Sequence, residues 1–128
     1  MHKVFYNKLV RDRIKEKIEE KGEACEIRTL TDDSEYEQEL LKKVREEADE
    51  LSRVRTRSDF LKEYADLMVV LDALTVHLEF SEADIRIALA ENMEAKGGFQ
   101  NRHFLQWSED VHYESIETPP GIRNKEAS

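Results

Sequence analysis

From Ser58 to Leu78 the chain reads SDFLKEYADLMVVLDALTVHL, without glycine or proline and apolar on nearly every side of a helical wheel. Such a run is expected to be a buried helix, over about 59–78, opened by Ser58 or Asp59. It is not a membrane span, because no apolar run in the chain approaches the length a bilayer demands. Two carboxylates, Glu63 and Asp66, nevertheless share one side of this helix, and Val70 and Ala73 continue that side. Burying an ionised carboxylate without a partner costs several kcal/mol or more. The stretch 63–78 contains neither lysine nor arginine to offset that cost.

The preceding segment poses the same problem. Ser34 with Glu37 fits a capping box, and an acidic first turn suits a helix running from 34 to about 54. At about 100° per residue its apolar side comprises Tyr36, Leu40, Leu41, Val44, Ala48, Leu51 and Val54. Glu47 falls within that arc and Glu50 on its edge, with Glu46 and Lys43 nearby. A divalent cation would neutralise both acidic sets. All-oxygen ligands suit Mg²⁺ or Mn²⁺, whereas a di-iron bundle would carry Glu-x-x-His where this chain has Glu47-x-x-Glu50 and Glu63-x-x-Asp66. An isolated acidic pair at this spacing is ordinarily a solvated face, and Glu46 and Glu50 repel at i,i+4. On these features alone the solvated-face and cation-site readings both stand.

The remainder reads as mainly all-α. A short helix is expected over about Asp12–Lys21, stopped by Gly22. The partly alternating ACEIRTL suggests one short N-terminal strand near Cys25–Thr29. Ser81 starts a further helix through ADIRIALAENMEA, ending at Gly97-Gly98. Beyond Trp107 the two prolines and few apolar residues suggest a loosely held tail, so residues 1–106 form the expected domain and 107–128 the tail. With 128 residues the chain is of single-domain length, and its net charge of -9 argues against general nucleic-acid binding. Cys25 is the one cysteine, which excludes an intrachain disulfide and a thiolate metal cage. The N-terminus MHKVFYNKLVRDR lacks an apolar signal core, so no membrane association and a cytoplasmic location are expected.

Glu46-Glu47-x-x-Glu50 followed by Glu63-x-x-Asp66 resembles the signature of the all-α nucleoside triphosphate pyrophosphatases, the MazG-like superfamily. YNKLVRDRI at Tyr6–Ile14 and KGGFQNRHFL at Lys96–Leu105 resemble the ends of its phosphoribosyl-ATP pyrophosphohydrolase-like subgroup. The resemblance spans about residues 4–106. It implies a helical bundle completed by dimerisation, as a homodimer or a dimer of dimers, with Mg²⁺ held by Glu47, Glu50, Glu63 and Asp66. Glu46 would take a further metal or orient the attacking water, which makes Glu46, Glu47 and Glu50 the expected catalytic acids. Lys8, Arg11, Lys43, Lys96 and Arg102 become candidate phosphate contacts, against ordinary surface charge for any one of them singly. Asn92 is a departure, standing near a position where the subgroup often has lysine. The implied reaction hydrolyses a nucleoside triphosphate to monophosphate and pyrophosphate in nucleotide house-cleaning. Phosphoribosyl-ATP is the alternative substrate, and a non-catalytic dimeric helical module is the alternative of another class.

Overall fold

Four α-helices form within residues 2–109, the part of the protein that the computed structural model describes. They are α1 (Ile14–Glu20), α2 (Asp33–Ser52), α3 (Arg57–His77) and α4 (Glu82–Lys96). The chain divides into two units, Met1–Ile87 and Ala88–Ser128. Most of the expected tail, from residue 110 onward, lies outside the described residues.

α2, α3 and α4 each begin where a side chain satisfies free N–H groups, whereas α1 follows Arg13 without a side-chain cap. α2 is capped by Asp32, which accepts from the Glu35 amide at 3.0 Å, and not by Ser34, which lies inside the helix. α3 is capped by Thr56, which accepts from the Asp59 amide at 3.0 Å; the helix therefore starts before Ser58. In α4 the expectation holds: the Asp84 amide donates to Ser81 Oγ at 3.1 Å, and Asp84 Oδ2 accepts from the Ser81 amide at 2.8 Å. This reciprocal pair is a capping box.

The stops are equally local. α1 closes with the Gly22 amide on the Glu19 carbonyl and the Glu23 amide on the Ile18 carbonyl, Gly22 standing at φ 79°. α3 closes by the same double bond pattern, Glu79 to Val76 and Phe80 to Thr75, but here the left-handed position belongs to Glu79 at φ 63°.

The strand expected at Cys25–Thr29 does not form, and no strand is present among the described residues. Its partial alternation needs a second extended segment to take the backbone hydrogen bonds, and the described residues provide none. The segment instead runs irregularly into α2, tied to it by a two-pronged ion pair between Arg28 and Glu35 at 3.1 and 2.8 Å.

Within the first unit α2 and α3 pack on each other as an antiparallel hairpin, with Tyr36 beside His77 at one end and Glu50 near Glu63 at the other. Leu40, Val70 and Leu74 are its buried centre, and Leu9, Tyr36, Val44 and Ala73 pack around them. The expectation that α3 is buried all round fails: Leu61 and Val76 are 66% and 74% exposed, and Phe60, Tyr64 and Leu78 are also open. Leu41 and Ala48, on the apolar arc of α2, are exposed as well. One helix facing one helix covers a narrow stripe, so the flanks of both arcs stay in solvent.

Candidate metal centre

The acidic residues gather at the end of the hairpin nearest the 53–56 connection. Two turns of α2 and one of α3 bring carboxylate oxygens of Glu47, Glu50 and Glu63 within 4.8 Å of one another. The i,i+3 spacing of Glu47 and Glu50 places both toward α3, and the short connection fixes the register that sets Glu63 opposite them.

Neutralisation of this group is incomplete. Lys43 Nζ lies 2.9 Å from Glu46 Oε2 and 3.5 Å from Glu47 Oε1, with its side chain only 14% exposed. Lys8 adds a bond to Glu46 Oε1 at 3.3 Å. Glu47 Oε2 and Glu63 Oε2, in contrast, are shut off from solvent and meet no hydrogen-bond donor. A third such oxygen, Glu39 Oε2, has Lys42 Nζ at 2.8 Å to balance it. Glu63 faces the carboxylate of Glu50, and two carboxylates can bond each other only by retaining a proton.

Charge and burial set the ionisation of these groups. Loss of solvation pushes the Glu47 carboxyl above its ordinary range, opposed by Lys43 and reinforced by Glu50, Asp66 and Glu46. Loss of solvation likewise raises Glu63, helped first by Glu50 and then by Asp66 and Glu47. Glu46 moves the other way, lowered chiefly by its bond to Lys43 and further by Lys8. The arrangement is one carboxylate held ionised beside two that resist ionisation without an added positive charge.

Of the four expected ligands, then, three converge. Asp66 is outside the trio and engages Arg11, Nη1 to Oδ1 at 3.6 Å. The basic residues divide in the same way. Lys8, Arg11 and Lys43 all reach carboxylates of the acidic end, Lys43 as an internal counter-ion wedged between Glu46 and Glu47. Lys96 and Arg102 belong to the second unit, Lys96 closing α4 and Arg102 at φ 58° in the turn after Phe99, both exposed. Sequence reasoning did not foresee the pairing of Arg11 with Asp66. The signal was the basic island KVFYNKLVRDR in an otherwise acidic chain, which shows an excess of charge but not its partners.

An all-oxygen donor set with two buried, donorless carboxylate oxygens fits a hard divalent cation of the Mg²⁺ or Mn²⁺ type. No helix among the described residues is long and apolar enough to cross a membrane. No protein-family model, curated protein or solved structure matches the chain.

Proposed function

We propose that the protein is a Mg²⁺-dependent nucleotide pyrophosphohydrolase of the MazG-like kind, cleaving a nucleoside triphosphate to monophosphate and pyrophosphate. The observation that carries this reading is the convergence of Glu47, Glu50 and Glu63 from two helices, with two of their oxygens buried and without donors. When bound, Mg²⁺ supplies charge neutralisation of the triphosphate and Lewis-acid activation of a water molecule. Glu47, Glu50 and Glu63 hold the cation, and Asp66 is the fourth ligand that the resemblance implies. Glu46, kept ionised by Lys43 and Lys8, accepts a hydrogen bond from the attacking water and orients it. Lys8 and Arg11, on the segment that borders the acidic end, supply donors for phosphate oxygens. Mn²⁺ substitutes for Mg²⁺, since both are hard and accept carboxylate oxygens.

Homodimerisation belongs to the same reading. Phe60 and Tyr64 stack with ring centroids 5.9 Å apart on an open face of α3 that also carries Leu61 and Met68. Exposed apolar patches of this kind mark association surfaces, and a second copy supplies the cover that α2 alone does not.

Pyrophosphate release across a panel of canonical and damaged nucleoside triphosphates and phosphoribosyl-ATP tests the proposal, with Mg²⁺, with Mn²⁺ and with chelator. Metal-dependent release is expected, reduced roughly a hundredfold or more by Glu50→Gln and by Glu63→Gln, beyond the usual cost of losing an outer-sphere partner. Silence on every substrate, with no cation-induced rise in melting temperature, would leave a non-catalytic helical module as the reading.

A further inference from the structure

The geometry points to Arg11 as an internal stand-in for the divalent cation, holding Asp66 away from Glu47, Glu50 and Glu63 until a cation displaces it. This inference rests on the proposed cation site and concerns how that site is regulated.

The segment that carries Arg11 is positioned, not merely tethered. Leu9 packs against the Leu40, Val70 and Leu74 centre of the hairpin. Lys8 and Arg11, on either side of it, reach different helices: Lys8 to Glu46 on α2 and Arg11 to Asp66 on α3. Asn7, at φ 47°, turns the backbone into this crossing. The segment therefore straps the two helices together at the end where five carboxylates repel one another, and Leu9 fixes where its cations fall.

The two cations compete for Asp66. With Oδ1 drawn toward Arg11 at 3.6 Å, the Asp66 carboxylate lies outside the converged trio and must turn to offer an oxygen to a cation centred on the other three. Recruitment of Asp66 releases the Arg11 guanidinium beside the site, where its planar donors match phosphate oxygens. Arg11 thus opposes binding of the cation alone and favours binding of phosphate to the cation-loaded protein. The pair is partly exposed, 55% for Arg11 and 36% for Asp66, so the opposition is modest and screened by salt.

Titration of the full chain with MnCl₂, followed calorimetrically and by loss of the free Mn²⁺ electron paramagnetic resonance signal, reads this directly. Arg11→Gln is expected to tighten Mn²⁺ binding about three- to fivefold, the measure of one exposed ion pair. The gain should vanish in the Asp66→Asn background, and inorganic pyrophosphate should bind the Mn²⁺-loaded Arg11→Gln protein more weakly. Arg13→Gln removes the same charge from a residue paired with Glu16 and should change nothing. Unchanged or weaker Mn²⁺ binding in Arg11→Gln overturns the inference. Equal tightening in the Asp66→Asn background or in Arg13→Gln also overturns it, by assigning the effect to the general field. Failure of the unsubstituted protein to bind Mn²⁺ overturns both this inference and the proposed function. Binding with these shifts but without hydrolysis of any nucleotide overturns the function alone.

Discussion

The two ends of the α2–α3 hairpin solve the same problem differently. At the open end, polar groups between the helices find each other: the His77 ring meets Tyr36 edge-on at 5.1 Å, and His77 Nε2 lies 3.4 Å from Glu37 Oε1. At the connected end, carboxylates meet carboxylates, and Glu47 Oε2 and Glu63 Oε2 are left without donors. Both ends share the Leu40, Val70 and Leu74 centre and an equally regular backbone. The difference is therefore chemical: one end is complete within the chain, while the other is short of positive charge. Unsatisfied buried oxygens are destabilising, and water or an ion meets them where the chain offers no donor.

The largest effect comes from removing what the two ends share. Leu74→Ala should cost about 2–5 kcal/mol by deleting a buried side chain and leaving a cavity, measured by urea unfolding. With only three buried residues among those described, both ends should lose structure together.

Next in size is the contrast between the ends themselves. Without divalent cation, Glu63→Gln should raise the melting temperature by relieving repulsion, whereas Glu47 and Glu50 remain in place. His77→Phe keeps the ring contact with Tyr36 and loses only the Glu37 partner, so it should cost under about 1 kcal/mol and leave pyrophosphate release intact. A fall in melting temperature from both substitutions would remove the distinction drawn between the two ends.

pH sharpens the same comparison. Glu47 and Glu63 hold their protons above the ordinary value of 4.5, so the folded state binds more protons than the unfolded chain in the window above it. Their contribution to stability is present below pH 4.5 and is lost as pH rises through the raised values. Glu46 and Glu35 are shifted downward, and their contribution changes only as pH falls below 4.5. Cation-free protein should accordingly melt at lower temperature as pH rises above 4.5. Saturating Mg²⁺ should cancel that decline, because it binds the deprotonated carboxylates of the folded state. Thermal melts across this range, with and without Mg²⁺, give both slopes.

The smallest expected effect lies at the stop of α3. Glu79 occupies a left-handed position that Gly22 fills in the equivalent stop of α1. Glu79→Gly should stabilise by about 0.5–1 kcal/mol by removing the Cβ conflict, read as an upward shift in denaturation midpoint.

Much of this was legible in the sequence because it is local. Helical periodicity set α2 and α3 to within about two residues at each end, and it put Glu47, Glu50 and Glu63 beside the apolar faces that meet. The caps were displaced, Asp32 for Ser34 and Thr56 for Ser58, because several adjacent residues in TDDS and RTRS can cap and only the backbone chooses among them. The 25–29 segment misled because alternation describes a face and not the partner strand that makes one. Cation pairings were beyond reach for another reason. Lys8 and Glu46 are 38 positions apart, and the wheel that orders one helix is silent about a segment crossing two. The openness of α3 was hidden in the same way, since composition measures how much surface should be covered and not how much the chain itself covers.

The connection at 53–56 also governs how the protein acquires its shape. Contacts between α2 and α3 close short loops, so this hairpin has the low contact order of elements that assemble on microsecond to millisecond scales. The acidic end lies closest to that connection, so its contacts close the shortest loops and are expected to form first. Crowding of like charge would then be met early in folding, before the Tyr36–His77 end closes. A cation present during synthesis would act on the folding rate as well as on the final stability, and the apolar flank of α3 would spend less time open to aggregation.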